Sequence, residues 1–294
     1  CLSFQIGIPL MKTLTNEVVV VSLPDNDLFS PDKTFNCGQC FRFEETPDSW
    51  QGAVSDKFLI FPKKQEKGKA AALGADDVFL SKFLNTEASY TEIENQIFEA
   101  FSGKDKKVVE SAAETSRGIR ILRQDFWEAL CSFIISQNNN IPRIKKNVLS
   151  ISEKFGEKKR SGEHEFFTFP TPEAVLWAGK TGLDECRLGF RTKYILDAAE
   201  KVKTGEISEE ELLTLDDKKA KEKLMTIYGV GEKVASCALL YGLGRYSAVP
   251  VDVWMKKIFK KYFNREFVDL GEFGGIAQQY LFFFERFIIE GKKI

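Results

Sequence analysis

Apolar residues change their period along the chain. Val18-Val19-Val20-Val21, the alternating Cys40-Phe41-Arg42-Phe43, Ser49 to Val54 and Phe58 to Phe61 are spaced for β-strands, with Ser55-Asp56-Lys57 as a turn. This pattern predicts one antiparallel sheet between Glu17 and about Phe61. The following Lys63-Lys64-Gln65-Glu66-Lys67-Gly68-Lys69 is charge-rich and reads as a solvated loop. From about Thr91 helical periodicity takes over. Asp125, with Glu128 three residues later, has the form of a capping box, and Trp127, Leu130, Cys131 and Ile134 follow as one buried stripe. Gln137-Asn138-Asn139-Asn140 is too polar for a core and ends that helix, while Pro142 opens the next one through Arg143, Lys145 and Lys146. Asp184 to Glu200, Glu209 to Tyr228, Glu232 to Leu243, Val253 to Tyr262 and Gly274 to Glu290 read as further helices with short connections. The order predicts an α+β protein: an N-terminal antiparallel sheet domain over 11–118, a mainly helical domain over 119–294, and a functional cleft between them. Residues 1–10, before a plausible initiator at Met11, read as an expression scar.

Composition narrows the chemistry. A chain of 294 residues with 43% hydrophobic and 29% charged residues can bury a sizeable core, which excludes intrinsic disorder. Forty-two basic and 43 acidic residues nearly cancel, so a polyanion would have to meet a local basic surface. The single histidine, His164, lies in the polar stretch Lys158 to Glu165 and argues against His-rich metal sites and a Ser-His-Asp triad. Six cysteines (Cys1, Cys37, Cys40, Cys131, Cys186, Cys237) are scattered without a signal peptide, pointing to a reducing interior compartment. Cys37-Gly38-Gln39-Cys40 has no second pair and no nearby His, so neither zinc nor an iron-sulfur cluster is expected. No apolar run reaches membrane-spanning length, since stretches such as Phe282 to Glu290 are broken by charge. The expectation is a soluble intracellular protein with no membrane partner, in the cytoplasm or nucleoid if prokaryotic, with the nucleus left open.

The most informative segment runs from Leu224 to Cys237 and is followed by Val249-Pro250-Val251-Asp252-Val253. Gly229-Val230-Gly231 lets the chain turn between two helices, and the second helix opens with free backbone N–H groups suited to one phosphate. A dinucleotide-binding turn would need a preceding strand and a glycine where Val234 stands, so that rival is rejected. Taken singly, these residues have ordinary readings. Lys233 is a solvated lysine on a first helical turn, although the helix dipole mildly disfavours a cation there. Asp252 is an N-cap, Cys237 and Phe282 are core, and Gly38 is a turn glycine.

Together the segments resemble the helix-hairpin-helix (HhH-GPD) DNA glycosylases, and within them the 8-oxoguanine DNA glycosylase/lyases. Phe35 to Arg42 and Ser136 to Ile141 resemble two further signatures of that family, and the likeness runs in order from about Val18 to Glu290. The resemblance implies a TBP-like N-terminal sheet and a bifunctional enzyme of base excision repair acting on duplex DNA. In it, Lys233 is the nucleophile: a partly buried amine attacks C1′ of the damaged nucleotide and forms a Schiff base, and β-elimination follows. Asp252 stabilises charge on the sugar and helps move the lysine proton. Cys237 and Phe282 sandwich the extruded base, Gln278 reads its Watson-Crick edge, Pro250 lies beside it, and the Gly38 carbonyl accepts N7–H, which 8-oxoguanine has and guanine lacks. Asn138 fills the gap in the duplex, and Arg143 and Arg191, beside Phe190, contact the orphaned cytosine, although each could equally face phosphates. Gly229 and Gly231 shape the DNA-binding hairpin. The carbonyls of Met225, Ile227 and Val230 would hold a structural K⁺ or Na⁺, and no cofactor is required for the chemistry.

Three positions depart from the family pattern: Trp254 stands for histidine, Phe190 for tyrosine and Tyr228 for proline. The expected enzyme is a monomer with a preference for 8-oxoguanine opposite cytosine. A related glycosylase for oxidised pyrimidines is disfavoured by the absence of cluster cysteines, and one for alkylated purines by Lys233, which it would not need. The rival from another class is a non-catalytic hairpin module that only binds DNA.

Overall fold

The computed structural model describes residues 17–290, and the proposed scar, Met11 and Cys1 lie outside the described residues. Val19–Ser22 (β1) does not pair with the next three strands in sequence. Helix Pro31–Asn36 (α1) intervenes, begun by Pro31 and by Ser30, whose hydroxyl accepts from the Lys33 N–H at 3.3 Å. Phe43–Glu45 (β2), Ser49–Val54 (β3) and Lys57–Pro62 (β4) then form an antiparallel meander, with Phe43 opposite Gly52 and Ser49 opposite Pro62. Lys69–Ala72 (β5) returns to pair with β1, Val19 opposite Ala72. The expected single sheet is therefore two short ones, linked by one bridge between Ile60 and Leu73. The alternation at Cys40 to Arg42 is not a strand, because Arg42 turns into the helical body to pair with Glu128 at 3.2 Å.

Asp77–Leu84 (α2), Tyr90–Glu99 (α3) and Gly103–Ser116 (α4) follow the sheets. Next comes Phe126–Ser136 (α5), opened by Asp125, whose carboxylate accepts from the Glu128 N–H at 2.8 Å. That cap is worth about 1 kcal/mol. The other half of the expected capping box is absent, since the Glu128 carboxylate goes to Arg42. Ile141–Phe155 (α6) is capped by Asn140, and a hairpin of Lys158–Ser161 (β6) and His164–Phe167 (β7) turns at Gly162, φ 59°. Its residues lack apolar alternation, so the pattern concealed it. His164 stacks on Phe58 there, ring centroids 4.7 Å apart. Pro172–Glu185 (α7) and Thr192–Lys203 (α8) replace the expected continuous helix from Asp184, because Arg187 and Gly189 adopt positive φ between them. Glu209–Thr214 (α9) and Asp217–Leu224 (α10) are likewise separate, Asp216 capping the second. Glu232–Cys237 (α11), Val253–Ile258 (α12) and Gly274–Glu290 (α13) complete the body, the first two each running on into a π-helical turn.

Two apolar clusters organise these elements. The smaller one holds the sheets to α1 and α2, with Phe35 stacked on Phe43 at 4.0 Å and fully buried. The larger one runs through the helices and takes in Tyr90, Ile93, Ile97, Val109 and Ala112 of α3 and α4, which lie before residue 118. The α4 helix packs on α13. Between the clusters lies Arg120, fully buried, which donates to the carbonyls of Leu84, Asn85 and Ala88 and stands 3.4 Å from the Asp27 carboxylate. A buried guanidinium satisfied in this way fixes one body against the other. No helix among the described residues is long and apolar enough to cross a membrane.

Candidate active site

The hairpin is residues 225–231, between α10 and α11. Gly229 has φ +79°, and a Cβ there would fall 2.4 Å from the Tyr194 ring of α8, so both the backbone and the packing require glycine. The Val230 N–H donates to the Ile227 carbonyl at 3.0 Å, and Gly231 is the N-cap of α11. Tyr228, where the family often has proline, uses the N–H that proline lacks: it donates to Asp197 Oδ2 of α8 at 2.7 Å. The hairpin is thus fastened to α8 by a ring contact and a charge-assisted hydrogen bond.

Lys233 projects from the first turn of α11 and is half-buried. Its Nζ donates to Ser136 Oγ at 2.9 Å and lies 5.1 Å from the centre of the Phe133 ring. The Ser136 hydroxyl spends its own proton on the Phe133 carbonyl at 2.7 Å, so only its lone pairs face the amine. Asp252 caps α12, with Oδ1 accepting from the Met255 N–H at 2.9 Å, and its second oxygen has no partner among the described residues. The cap role and a place in the cleft coexist.

Lys233 and Asp252 both line two adjoining chambers. The outer, of about 410 Å³, is bounded by Phe41, Asn139, Ile141, Trp254, Phe282 and Arg286. The inner, of about 80 Å³, is bounded by Cys37, Cys237, Tyr241, Pro250, Gln278 and Gln279, and Gly38, Phe133 and Phe282 line both. Burial pushes the Cys237 thiol up to about 11, the Lys233 ammonium pulling the other way. Cys237 therefore presents an apolar sulfur face. Gln278 is 6% exposed and its Oε1 is buried without a hydrogen-bond partner, which costs about 1 to 3 kcal/mol unless something donates to it. Gly38 has φ +86°, and its carbonyl accepts no hydrogen bond among the described residues. A larger depression of about 560 Å³ between β2, β3, α6 and β7 is lined by mixed charges and holds neither Lys233 nor Asp252.

Sequence reasoning passed over the residues that hold this cleft in shape. Gln39 is fully buried: its amide donates to the carbonyls of Thr34 and Arg120, and its Oε1 accepts from the Leu122 N–H at 2.8 Å. Gln279 donates to the Cys37 carbonyl at 3.2 Å and accepts from the Tyr241 hydroxyl at 2.7 Å. Gln39 and Ser136 lie inside the two recognised segments; nothing in composition or spacing marked Gln279.

The residues expected to meet the partner strand gather elsewhere, at the turn between α5 and α6. Asn138 is exposed with φ 47°, and Arg143 is exposed with a guanidinium that has no partner among the described residues. Arg191 lies beside that turn but faces inward. It is 3% exposed, and its guanidinium donates to the carbonyls of Gln137, Asn138 and Leu188 while lying 4.4 Å over the Phe190 ring. Burial, together with the nearby Arg143 charge, pulls its pKa down. At the hairpin, the carbonyls of Met225 and Val230 take no backbone N–H, and that of Ile227 takes one. Among the described residues no group of three His, Cys, Asp or Glu side chains could hold a metal ion, and Cys37, Cys40, Cys131, Cys186 and Cys237 are buried free thiols.

The geometry agrees with what comparison with known proteins finds. Residues 20–130 match the family model of the 8-oxoguanine DNA glycosylase N-terminal domain, and residues 131–267 match that of the HhH-GPD superfamily of base excision DNA repair proteins. The chain is 32% identical to the N-glycosylase/DNA lyase OGG1 of Arabidopsis thaliana over 271 residues, covering 86% of this chain and 71% of the relative. The solved structure of MBOgg1 in complex with a low-affinity DNA ligand superposes with a TM-score of 0.83 at 35% identity, covering 95% of this chain and 99% of that one. Clostridium acetobutylicum 8-oxoguanine glycosylase/lyase in complex with double-stranded DNA containing cytosine opposite 8-oxoguanine does so with a TM-score of 0.81 at 30% identity, covering 94% and 99%. With a sheet domain, a helix-hairpin-helix body and both family models matched in order, the chain belongs to the 8-oxoguanine DNA glycosylase/lyase family of the HhH-GPD superfamily.

Proposed function

We propose that this chain is a bifunctional DNA glycosylase and abasic-site lyase that excises 8-oxoguanine from duplex DNA. The observation that carries the reading is the unpaired Gln278 Oε1, buried in the same small chamber that Lys233 and Asp252 line. A flipped purine presents donors on its Watson-Crick edge, and one that also carries N7–H has a donor for the open Gly38 carbonyl. Guanine would set its N7 lone pair against that carbonyl. Cys237 and Phe282 offer the apolar faces between which such a ring fits.

In the reaction we infer, the unprotonated Lys233 amine attacks C1′, the C1′–N9 bond breaks, and the base leaves with the electron pair and takes up a proton. The Asp252 carboxylate offsets positive charge developing on the sugar and can accept the proton lost by Lys233. Opening of the sugar ring gives a Schiff base, and loss of a C2′ proton expels the 3′ phosphate. The carbonyls of Met225 and Val230, open on the hairpin, fit a structural monovalent cation, which would supply positive charge toward a DNA phosphate. Arg143 supports a preference for cytosine opposite the lesion, since a guanidinium satisfies the N3 and O2 acceptors of cytosine and meets a donor on adenine.

Borohydride reduction on duplexes with and without 8-oxoguanine tests the assignment. A covalent protein–DNA product with the lesion duplex is expected, and its absence, with base release also absent, contradicts the reading.

A further inference from the structure

Beside the hairpin lies a group of side chains that the excision chemistry does not use. Lys193, on the first turn of α8, is exposed, and its Nζ donates to the Tyr228 hydroxyl at 3.1 Å. The same ammonium lies 4.9 Å from the Tyr228 ring centre and 5.6 Å from that of Tyr194, and the two rings meet edge to face at 5.2 Å. Tyr228 is 55% exposed. The accepting phenol oxygen of Tyr228 raises the Lys193 pKa from its ordinary value, which favours the charged form. Asp197, one turn further along α8, takes the Tyr228 N–H and stands 3.5 Å from Lys201. Its charge is thereby offset, and Lys201 also donates to the Thr226 carbonyl.

Resting on the reading of this chain as a DNA glycosylase, we propose that Lys193 and Tyr228 form a phosphate site on the outer lip of the hairpin, taking a backbone phosphate of the same duplex that the hairpin amides engage. The donor inventory fits an anion. Once the phenol oxygen has accepted from Lys193, its O–H is free to donate, and the ammonium keeps two further N–H groups. Two aromatic rings hold the lysine in place before DNA arrives, which lowers the ordering cost of the contact. Proline at position 228 could supply neither the ring nor the hydroxyl, so the site belongs to this chain's departure from the family pattern.

The test measures duplex affinity of the full chain against salt, with undamaged DNA and with DNA containing 8-oxoguanine. Lys193→Met should weaken both duplexes about five- to tenfold and lower the slope of log affinity against log salt by about one. Single-turnover excision at saturating protein should stay at the parent value, and Lys193→Arg should restore most of the slope. Tyr228→Phe keeps the ring contact and should cost about two- to threefold, and less than that in the Lys193→Met background. A parent-like slope and affinity in Lys193→Met overturns the inference, as does a loss that tracks a lowered melting temperature and is not restored by arginine. A parent that excises 8-oxoguanine while these variants bind like it sinks this inference alone. A parent that binds no duplex sinks the functional reading with it.

Discussion

The inner chamber and the turn between α5 and α6 both carry polar groups, yet these stand in different states of readiness. Around the chamber, Gln39 ties the segment next to Gly38 to Thr34, Arg120 and Leu122, Gln279 donates to the Cys37 carbonyl and Ser136 accepts from Lys233, while the groups that would meet a base, Gln278 Oε1 and the Gly38 carbonyl, stay open. At the turn the arrangement is reversed. Arg191, buried in the connection between α7 and α8, donates to the carbonyls of Gln137 and Asn138 in the turn and of Leu188 in its own connection, while Arg143 and Asn138 are exposed. Preorganisation is concentrated where charge would develop in the proposed reaction. A DNA contact by Arg191 would have to replace these internal hydrogen bonds.

Substitutions at each region separate the two. Lys233→Gln should abolish both base release and the trapped product while lesion-duplex affinity stays near the parent value, because the amide keeps bulk without a nucleophile; trapping and anisotropy assays read both quantities. Asp252→Asn should slow single-turnover excision by about 10²-fold or more, since an amide still caps α12 but carries no charge. Near-parent rates would leave Asp252 as a cap alone. At the turn, Arg191→Ala should cost about 2 to 3 kcal/mol in denaturant unfolding through its orphaned carbonyls. Arg143→Ala should leave stability within about 0.5 kcal/mol. It should narrow any excision preference for cytosine over adenine by about tenfold, one lost charge-assisted contact. Equal unfolding costs for the two arginines would erase the contrast drawn here.

The smallest effect concerns Cys237. With its thiol pushed up to about 11, it is almost wholly protonated at pH 7.5, so iodoacetamide should label it very slowly. Lys233→Gln should slow labelling further by removing the nearby positive charge. Cys237→Ser should still form the trapped complex.

The sequence made the α5 stripe, its Asp125 cap, the hairpin glycines and the Asp252 cap legible because each is a local rule of period, charge or φ. Strand pairing was less legible: β1 meets β5 across some fifty residues, and nothing in Val18 to Val21 names that partner. The β6–β7 hairpin was hidden because a two-stranded ribbon with mostly polar faces has no alternation to read. At the site, Lys233 and Asp252 were found through motif order, since each has an ordinary helix-end reading on its own. Arg191 shows the limit. The family resemblance implied a DNA contact there, and only tertiary structure reveals that most of its donors go to carbonyls of Gln137, Asn138 and Leu188.

The central claim is that Lys233 is the nucleophile of this cleft. Borohydride trapping on a duplex containing 8-oxoguanine, followed by proteolysis and mass mapping of the adduct, tests it most directly. The account predicts a single modified residue, Lys233; an adduct on another amine, or an undiminished adduct in Lys233→Gln, would contradict it.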